Sequence, residues 1–158
     1  MNIVYGYIGW NVQLDDEEGL KADVRDINAL LKQLSPKAPE IHIGDVQNTC
    51  ARGFLAVARD ADVRRGGNCR IVGMATLTER RQLVGRFGYI DDVVVDEAYL
   101  RKGIAEQLNL MLIEMAAKNR HLKHLDLTSS PERVAANKLY LKLGYEKRET
   151  NVYRKKLC

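Results

Sequence analysis

The segment from Tyr89 to Ala117 constrains the chain most tightly, because its hydrophobic period changes midway. Ile90 to Val95 is a β-branched run with no polar alternation after Asp92, the pattern of a strand covered on both faces. Beyond Asp96 a short connection passes through Arg101-Lys102-Gly103-Ile104-Ala105 into a helix, where Ile104, Leu108, Met111, Leu112 and Met115 recur at ~3.6-residue spacing. A strand, a tight basic loop and a helix start suit a phosphate group. The first N–H groups of a helix lack internal partners and lie at the positive end of its dipole, so a diphosphate satisfies several at once. Gly103 lets the backbone approach the anion, and Ala105 keeps the next turn slim. Read alone, the stretch is equally an ordinary strand–loop–helix unit with its basic residues in water.

A second patterned stretch lies near the C-terminus. Ser129-Ser130-Pro131-Glu132 reads as a helix start, with Ser129 as N-cap, Pro131 in the first turn and Glu132 placed for a capping box. Ala136, Leu139, Tyr140 and Leu143 give that helix a buried face, and Gly144 ends it.

Both stretches carry a family resemblance. Val93-Val94-Val95-Asp96-Glu97-Ala98-Tyr99-Leu100-Arg101-Lys102-Gly103-Ile104-Ala105 resembles the acyl-CoA-binding motif of the GNAT superfamily of N-acyltransferases, Arg/Gln-x-x-Gly-x-Gly/Ala. Leu100 stands where the family usually has Arg or Gln. Ala136 to Tyr145 resembles the family's second element, Asn-x-x-Ala-x-x-Leu-Tyr-x-Lys-x-Gly-Phe, with Arg133 for the leading Asn and Tyr145 for Phe. The motifs keep the family's order and spacing from Ile90 to Tyr153, about two-fifths of the chain.

The resemblance implies an α/β (α+β) GNAT fold filling one domain, residues 1–158. Its sheet is expected to be mixed and mostly antiparallel, with six to seven strands, a splayed central parallel pair and about four flanking helices. It further implies an N-acetyltransferase that moves an acetyl group from acetyl-CoA, a cosubstrate, to a primary amine by direct attack in a ternary complex, with no metal. Val93, Val94, Val95, Arg101, Lys102, Gly103, Ile104 and Ala105 are the implied cofactor contacts, with Asn137 and Tyr140 added from the second motif. The matching tyrosine of many family members points at the cofactor sulfur, which makes Tyr140 a candidate acid. On an apolar helix face it is also readable as a core tyrosine with a bonded hydroxyl, and Asn137 as a solvent-facing amide. Asp91 and Asp92 are candidate bases, Asp91 falling closest to the family's carboxylate; the plain alternative is a strand's polar end. Gly88-Tyr89-Ile90-Asp91-Asp92-Val93-Val94-Val95 is also similar to the amino-sugar-phosphate branch of the family. The rival reading is a catalytically silent GNAT-fold module that binds CoA or a protein partner.

The chemistry explains the parts. An alkylamine with a pKa near ~10.4 is almost wholly protonated at neutral pH, so a base or water chain must take its proton before attack. The thioester oxygen then gains charge, and a backbone N–H where the central strand splays open, at Val93 or Val94, can stabilise it. The departing thiolate needs a proton, which Tyr140 is placed to give. The acceptor itself, a small-molecule or peptide amine, is not encoded legibly.

Composition narrows the field. At 158 residues and 46% hydrophobic content the chain suits one domain with a full core. No apolar run approaches the ~18 residues of a membrane span, and the opening Met-Asn-Ile-Val-Tyr-Gly lacks a signal-peptide layout, so a cytoplasmic protein with no membrane partner is expected. Cys50, Cys69 and Cys158 are too few and irregular for a zinc or disulfide framework. The 25 basic residues are interleaved with 21 acidic ones and only 6% of positions are aromatic, which argues against nucleic acid as a partner. His121 and His124, at i, i+3 spacing near Asp126, do not make a metal site.

The remaining elements follow from pattern. Met1 to Trp10 reads as an opening strand, and Asp23 as N-cap of a helix carrying Val24, Ile27, Leu30, Leu31 and Leu34 that Ser35-Pro36 ends. A short helix is expected at Gly44 to Ala51, then strands at Phe54 to Arg59 and Arg70 to Thr78 joined by a turn over Asp60 to Asn68. Thr78 to Phe87 reads as a polar connection. Lys118-Asn119-Arg120 closes the long helix, Leu122 to Thr128 is a parallel strand, and Tyr145 to Glu149 with Asn151 to Lys156 form a last strand pair. In the family, that C-terminal pair is a common pairing edge, so a homodimer is possible. On the family plan, 23–51 and 78–87 flank the acceptor.

Overall fold

The computed structural model of the protein describes residues 1–9, 17–65, 67–118 and 121–157. They fall into two compact units, Met1–Thr128 and Ser129–Cys158. The first carries β1 (Ile3–Ile8), α1 (Glu17–Leu34), α2 (Ile43–Arg52), β2 (Gly53–Arg65), β3 (Asn68–Gln82), β4 (Gly85–Val95), a 3₁₀ turn at Glu97–Tyr99, α3 (Ile104–Lys118) and β5 (Leu122–Leu127). The second carries α4 (Val134–Lys142). The expected strand end at Trp10, the turn residue Gly66, the helix stop at Asn119-Arg120 and Cys158 lie outside the described residues.

One sheet runs in the order β1-β2-β3-β4-β5, antiparallel throughout except for the parallel pair β4 and β5 that the α3 crossover joins. On one face α1 and α2 bury Ile27, Leu30, Val46 and Cys50 against Leu55, Val57, Met74 and Val94. The alternate residues Ala56, Ala58 and Ala75 are also fully buried, and their small side chains let α3 approach the other face with Ile104, Leu108 and Leu112. Gly73 shows how close it comes: a Cβ there would lie 3.0 Å from Ile104 Cγ2. Among the described residues no helix is long and apolar enough to cross a membrane.

The structure corrects five expectations. The sheet has five strands among the described residues, not six to seven, because residues 145–157 form neither helix nor strand. Residues 146–157 are all exposed, and the run Glu146-Lys147-Arg148-Glu149 offers no apolar face to bury. The expected C-terminal pairing edge is therefore not formed. Asp23 is no N-cap, since α1 already starts at Glu17, where Glu17 and Glu18 complement the helix dipole. Asp23 lies well inside α1 and is buried, accepting bonds from Arg59 Nη1 and Nη2 at 2.7 and 2.6 Å. An acid that favours caps in isolation is here held in the helix by a guanidinium from β2.

Ser129 caps nothing either. Arg133 N–H donates to Ser130 O at 3.1 Å, so a turn precedes α4, and the helix begins at Val134. Finally, Thr78 to Phe87 is no connection: β3 runs to Gln82 and β4 starts at Gly85, leaving Leu83-Val84 as a hairpin tip. Its polarity misled because the ladder is laced with charge. Arg81 and Arg86 reach Glu79 at 3.1 and 3.5 Å, and the Arg80 guanidinium lies 3.6 Å from the Tyr89 ring centroid. The hairpin of β2 and β3 likewise pairs out to Arg65↔Asn68, which shortens its expected turn.

Asp23 and Arg59 tie α1 to the sheet with little water around them, the side chains being 6% and 21% exposed. Removing one partner of such a pair strands the other charge. Asp23→Ala is expected to lower stability by about 3 kcal/mol in urea unfolding, with Asp23→Asn intermediate because one acceptor remains.

Candidate active site

The end of β4 is irregular in a way that matters chemically. Met74 pairs with Val94 but Thr76 pairs with Asp91, so two steps on β3 face three on β4. The extra residue is a β-bulge at Asp92, whose φ of 52° is left-handed, a conformation that aspartate tolerates better than most residues. Strict alternation would send adjacent aspartates to opposite faces. Here Thr76 Oγ1 donates to Asp92 Oδ2 at 3.3 Å while Thr76 is also the cross-strand partner of Asp91, so both acids belong to the face of α1 and α2. Burial, and then repulsion from Asp92, push the Asp91 carboxyl up, against a downward pull from Arg80.

The same strand outruns its neighbour. Pairing of β4 with β5 ends at Ile90↔Leu127, so Asp91 to Val95 have β3 on one side only. Asp96 N–H donates to Val72 O at 2.9 Å. By the two-residue alternation of an antiparallel ladder, Val94 turns its amide to β3 as well, while Val93 and Val95 turn theirs to the side that β5 has left.

The loop that follows is held at both ends. Asp96 Oδ1 accepts from Ala98 N–H at 2.9 Å and its Oδ2 from Arg70 Nη2 at 2.7 Å. Leu100 is half exposed, Arg101 and Gly103 are left-handed at φ 61° and 74°, and Ile104 is buried at the start of α3. Left-handed residues of this kind can turn successive N–H groups into an anion-binding concavity. Gln107 N–H donates to Gly103 O at 3.0 Å, which leaves the amides of Ile104 and Ala105 with no carbonyl inside the helix. Arg101, Lys102 and Gly103 are exposed, and a Cβ on Gly103 would meet no atom within 4 Å. Lys102 Nζ lies 4.8 Å from the Tyr99 ring centroid.

On the side of the two aspartates a cleft of about 90 Å³ opens between α1 and α2, with Asp92, Thr76 and Asp45 among apolar walls that include Ile27, Leu31 and Ile41. Asn28 of α1 clamps the loop before α2 by donating to Ile41 O and accepting from Ile41 N–H, both at 2.9 Å. A wider groove of about 410 Å³, with Lys21, Arg25 and His42 on its walls, holds none of the candidate catalytic or cofactor-binding residues. Thr76 and the clamp at Asn28 went unnoticed in the sequence because neither falls in a motif, and Arg80 was read only as part of a polar connection. The one available signal was a threonine among the apolar residues of β3.

Tyr140 and Asn137 belong to the second unit. Gly144, at φ 87°, closes α4 with two bonds, Tyr145 N–H to Tyr140 O at 3.0 Å and Gly144 N–H to Leu141 O at 3.1 Å. That is a Schellman closure, and its usual apolar contact is the edge-on packing of Tyr145 against Tyr140 with ring centroids 5.9 Å apart. Burial raises the Tyr140 phenol, opposed by Arg133, and pushes Tyr145 up to about 12. Asn137 spends its Nδ2 on Ser130 O at 2.9 Å and Pro131 O at 3.4 Å, holding the turn before α4. His124 pairs with Asp126 at 3.2 Å and stacks on Phe87, and no group of three metal-ligating side chains gathers among the described residues.

The sequence profile of the Acetyltransferase (GNAT) family matches residues 25–145. No curated protein matches the chain in sequence. Among solved structures, an acetyltransferase of Trypanosoma brucei superposes with a TM-score of 0.71 at 22% identity, covering 98% of this chain and 99% of its own. The aminoglycoside acetyltransferase AAC(6')-Iy, in complex with the bisubstrate analogue CoA-S-monomethyl-acetylneamine, gives 0.73 at 18% identity with complete coverage of both chains, 100% each. Glucosamine-6-phosphate N-acetyltransferase from Arabidopsis thaliana gives 0.71 at 15% identity, covering 98% of this chain and 99% of that one. These likenesses establish a shared fold, and the profile, which spans most of the chain, establishes kinship: the chain belongs to the GNAT family of acetyltransferases and is an acyltransferase.

Proposed function

We propose that residues 1–158 act as one acetyltransferase domain that moves an acetyl group from acetyl-CoA to a primary amine by direct attack in a ternary complex. The observation that carries this reading is the Asp92 bulge where β4 outruns β5, which puts two carboxylates on one sheet face beside a strand amide that no neighbouring strand takes. The donor set fits a CoA diphosphate. Gly103 leaves open space, Arg101 and Lys102 bring charge, and the amides of Gly103, Ile104 and Ala105 lie at a helix start. Bound there, acetyl-CoA supplies an activated acetyl thioester.

The chain's own groups do the rest. Val95 lays the open strand edge along the pantetheine arm, and the family motif assigns Asn137 to the same arm. The Val93 N–H faces the oxygen that gains charge during attack. An amine entering the cleft between α1 and α2 meets Asp92, which Thr76 orients, and gives its proton to Asp91, a stronger base for being partly buried beside another acid. Tyr140 returns a proton to the sulfur. The acceptor is a small-molecule or peptide amine. A panel of amines with acetyl-CoA, followed by release of free thiol, tests the reading; no turnover with any amine, together with no binding of CoA, overturns it.

Gly103→Glu is expected to abolish CoA binding in calorimetry while the fold survives. The new side chain meets no atom near its Cβ, and the left-handed φ costs about 1–2 kcal/mol.

Asp91 makes a paired prediction of pH dependence. The acidic limb of kcat/KM should lie above the ordinary value of 3.8 for an aspartate and should vanish, with most of the activity, in Asp91→Asn. Stability runs the other way. A carboxyl whose folded-state pKa is raised contributes stability below its unfolded value, and that contribution is lost as pH rises through the folded value. Asp91→Asn should therefore be less sensitive to rising pH than the parent in urea unfolding between acid and neutral conditions.

Tyr140→Phe keeps the ring and removes the acid. Because a thiolate is already a fair leaving group, kcat should drop about 10²-fold, the lower part of the range for proton donation, with CoA affinity nearly unchanged. Steady-state kinetics beside a CoA titration measures both.

A further inference from the structure

Tyr99 lies between the bulged strand and the anion loop, and its contacts are unusually complete for a partly exposed residue. Its hydroxyl donates to Asp60 Oδ2 at 2.8 Å. Asp60, on β2, is only 4% exposed, and its Oδ1 accepts from Asp62 N–H at 3.0 Å, so the acceptor is itself fixed. Hydrogen bonds from Tyr99 and from the Asp62 amide hold the Asp60 carboxyl below its usual range. Arg70, on β3, places its guanidinium carbon 5.9 Å from the Tyr99 ring centroid while binding Asp96 at 2.7 Å. Gln33 of α1 accepts from Glu97 N–H at 3.0 Å. The turn Glu97–Tyr99 is thus tied to β2, β3 and α1 before the chain enters the left-handed residues Arg101 and Gly103.

The ring has a second use. Lys102 Nζ lies 4.8 Å from its centroid and donates to Ala98 O at 3.3 Å. An ammonium seated on an aromatic face is positioned without being neutralised by a carboxylate. Among the described residues Lys102 makes no ion pair with an acidic side chain, so its charge stays available to an incoming anion.

We infer that Tyr99 is a positioning residue for the CoA diphosphate: its hydroxyl, latched on Asp60, fixes the anion loop, and its ring seats Lys102 beside the bound phosphates. The inference rests on the reading of residues 101–105 as the CoA site. Its physical basis is preorganisation. A loop already ordered in the free protein loses little conformational entropy when the ligand arrives, so loosening the latch weakens binding and leaves the chemical step alone.

The test compares Tyr99→Phe, Tyr99→Leu and Asp60→Ala with the parent, using calorimetry with CoA and with dephospho-CoA and kinetics with acetyl-CoA and a good amine. Tyr99→Phe should raise the Kd for CoA and the KM for acetyl-CoA roughly tenfold, the usual worth of a hydrogen bond to a charged group, with kcat and the amine KM unchanged. Tyr99→Leu should lose more, since the seat goes as well. Asp60→Ala should match Tyr99→Phe, and the double variant Tyr99→Phe/Asp60→Ala should be no worse than either. The fold-loss should be the same for CoA and dephospho-CoA. Unchanged affinity in Tyr99→Phe overturns the inference while leaving the CoA site intact. A fall in kcat and in amine affinity alongside a lowered Tm also overturns it, by showing a merely structural residue. A loss confined to CoA and absent with dephospho-CoA would move the role to the 3′-phosphate and overturn it too. Failure of the parent itself to bind CoA overturns the underlying reading and the inference together.

Discussion

A strand inside a sheet normally uses its amides and carbonyls on neighbours at both edges; β4 does so only as far as Ile90. Beyond that point the backbone must find partners elsewhere, because an unpaired N–H sheltered from water is costly. Much else in the first unit follows from this. The bulge at Asp92 re-aims side chains where pairing ends, β4 passes at once into a braced turn, and α3 starts within reach of the same gap. The two acids and the helix start lie close together in sequence because one interrupted strand generates the whole neighbourhood.

The opposite wall depends on charge instead of backbone. Asp23 and Asp26 both point into the sheet from α1, the first toward Arg59 and the second toward Ile71 N–H at 2.9 Å and Arg65 at 3.3 Å. Burial pushes the Asp26 carboxyl up despite these partners, so the attachment carries an electrostatic cost that the bonds only partly offset. Two buried acids on one helix face fix its rotation about its own axis more sharply than Leu30 and Ile27 could, since apolar contacts slide and bidentate ones do not. With α1 so fixed, the Asn28 clamp sets where α2 begins, and the cleft above Asp92 has a defined width.

Legibility in the sequence followed physical locality. The change of period at Ile90 to Leu112 announced β4, the tight connection after it and α3, and Gly144 announced the end of α4, because each is a statement about consecutive residues. The parallel pairing of β5 also followed, from the crossover rule. What failed needed knowledge of partners distant in sequence. Asp23 looked like a cap because Arg59 was not in view, and Thr78 to Phe87 looked like a loop because the stacking of Arg80 on Tyr89 and the shared Glu79 cannot be seen in a string of arginines. Tyr145 to Lys156 had enough β-formers to suggest strands but no buried face to hold them. At the candidate site the acids were visible as acids, whereas their common orientation came from a one-residue register slip that no composition reveals.

The Asn28 clamp and the paired acids of α1 also bear on ancestry. The helices of the cleft's outer wall lie within residues 17–52 and the anion loop within residues 89–118, and the two long strands between them brace both, Arg59 and Arg65 holding α1 while Asp60 and Arg70 hold the turn before the loop. Gln33 takes the Glu97 N–H, and substitutions elsewhere in the first stretch leave the braces from Asp60 and Arg70 in place. If the cleft takes the acceptor and the loop the acyl donor, relatives with different acceptors should differ more along α1 and α2 than through the turn from Asp96 to Gly103.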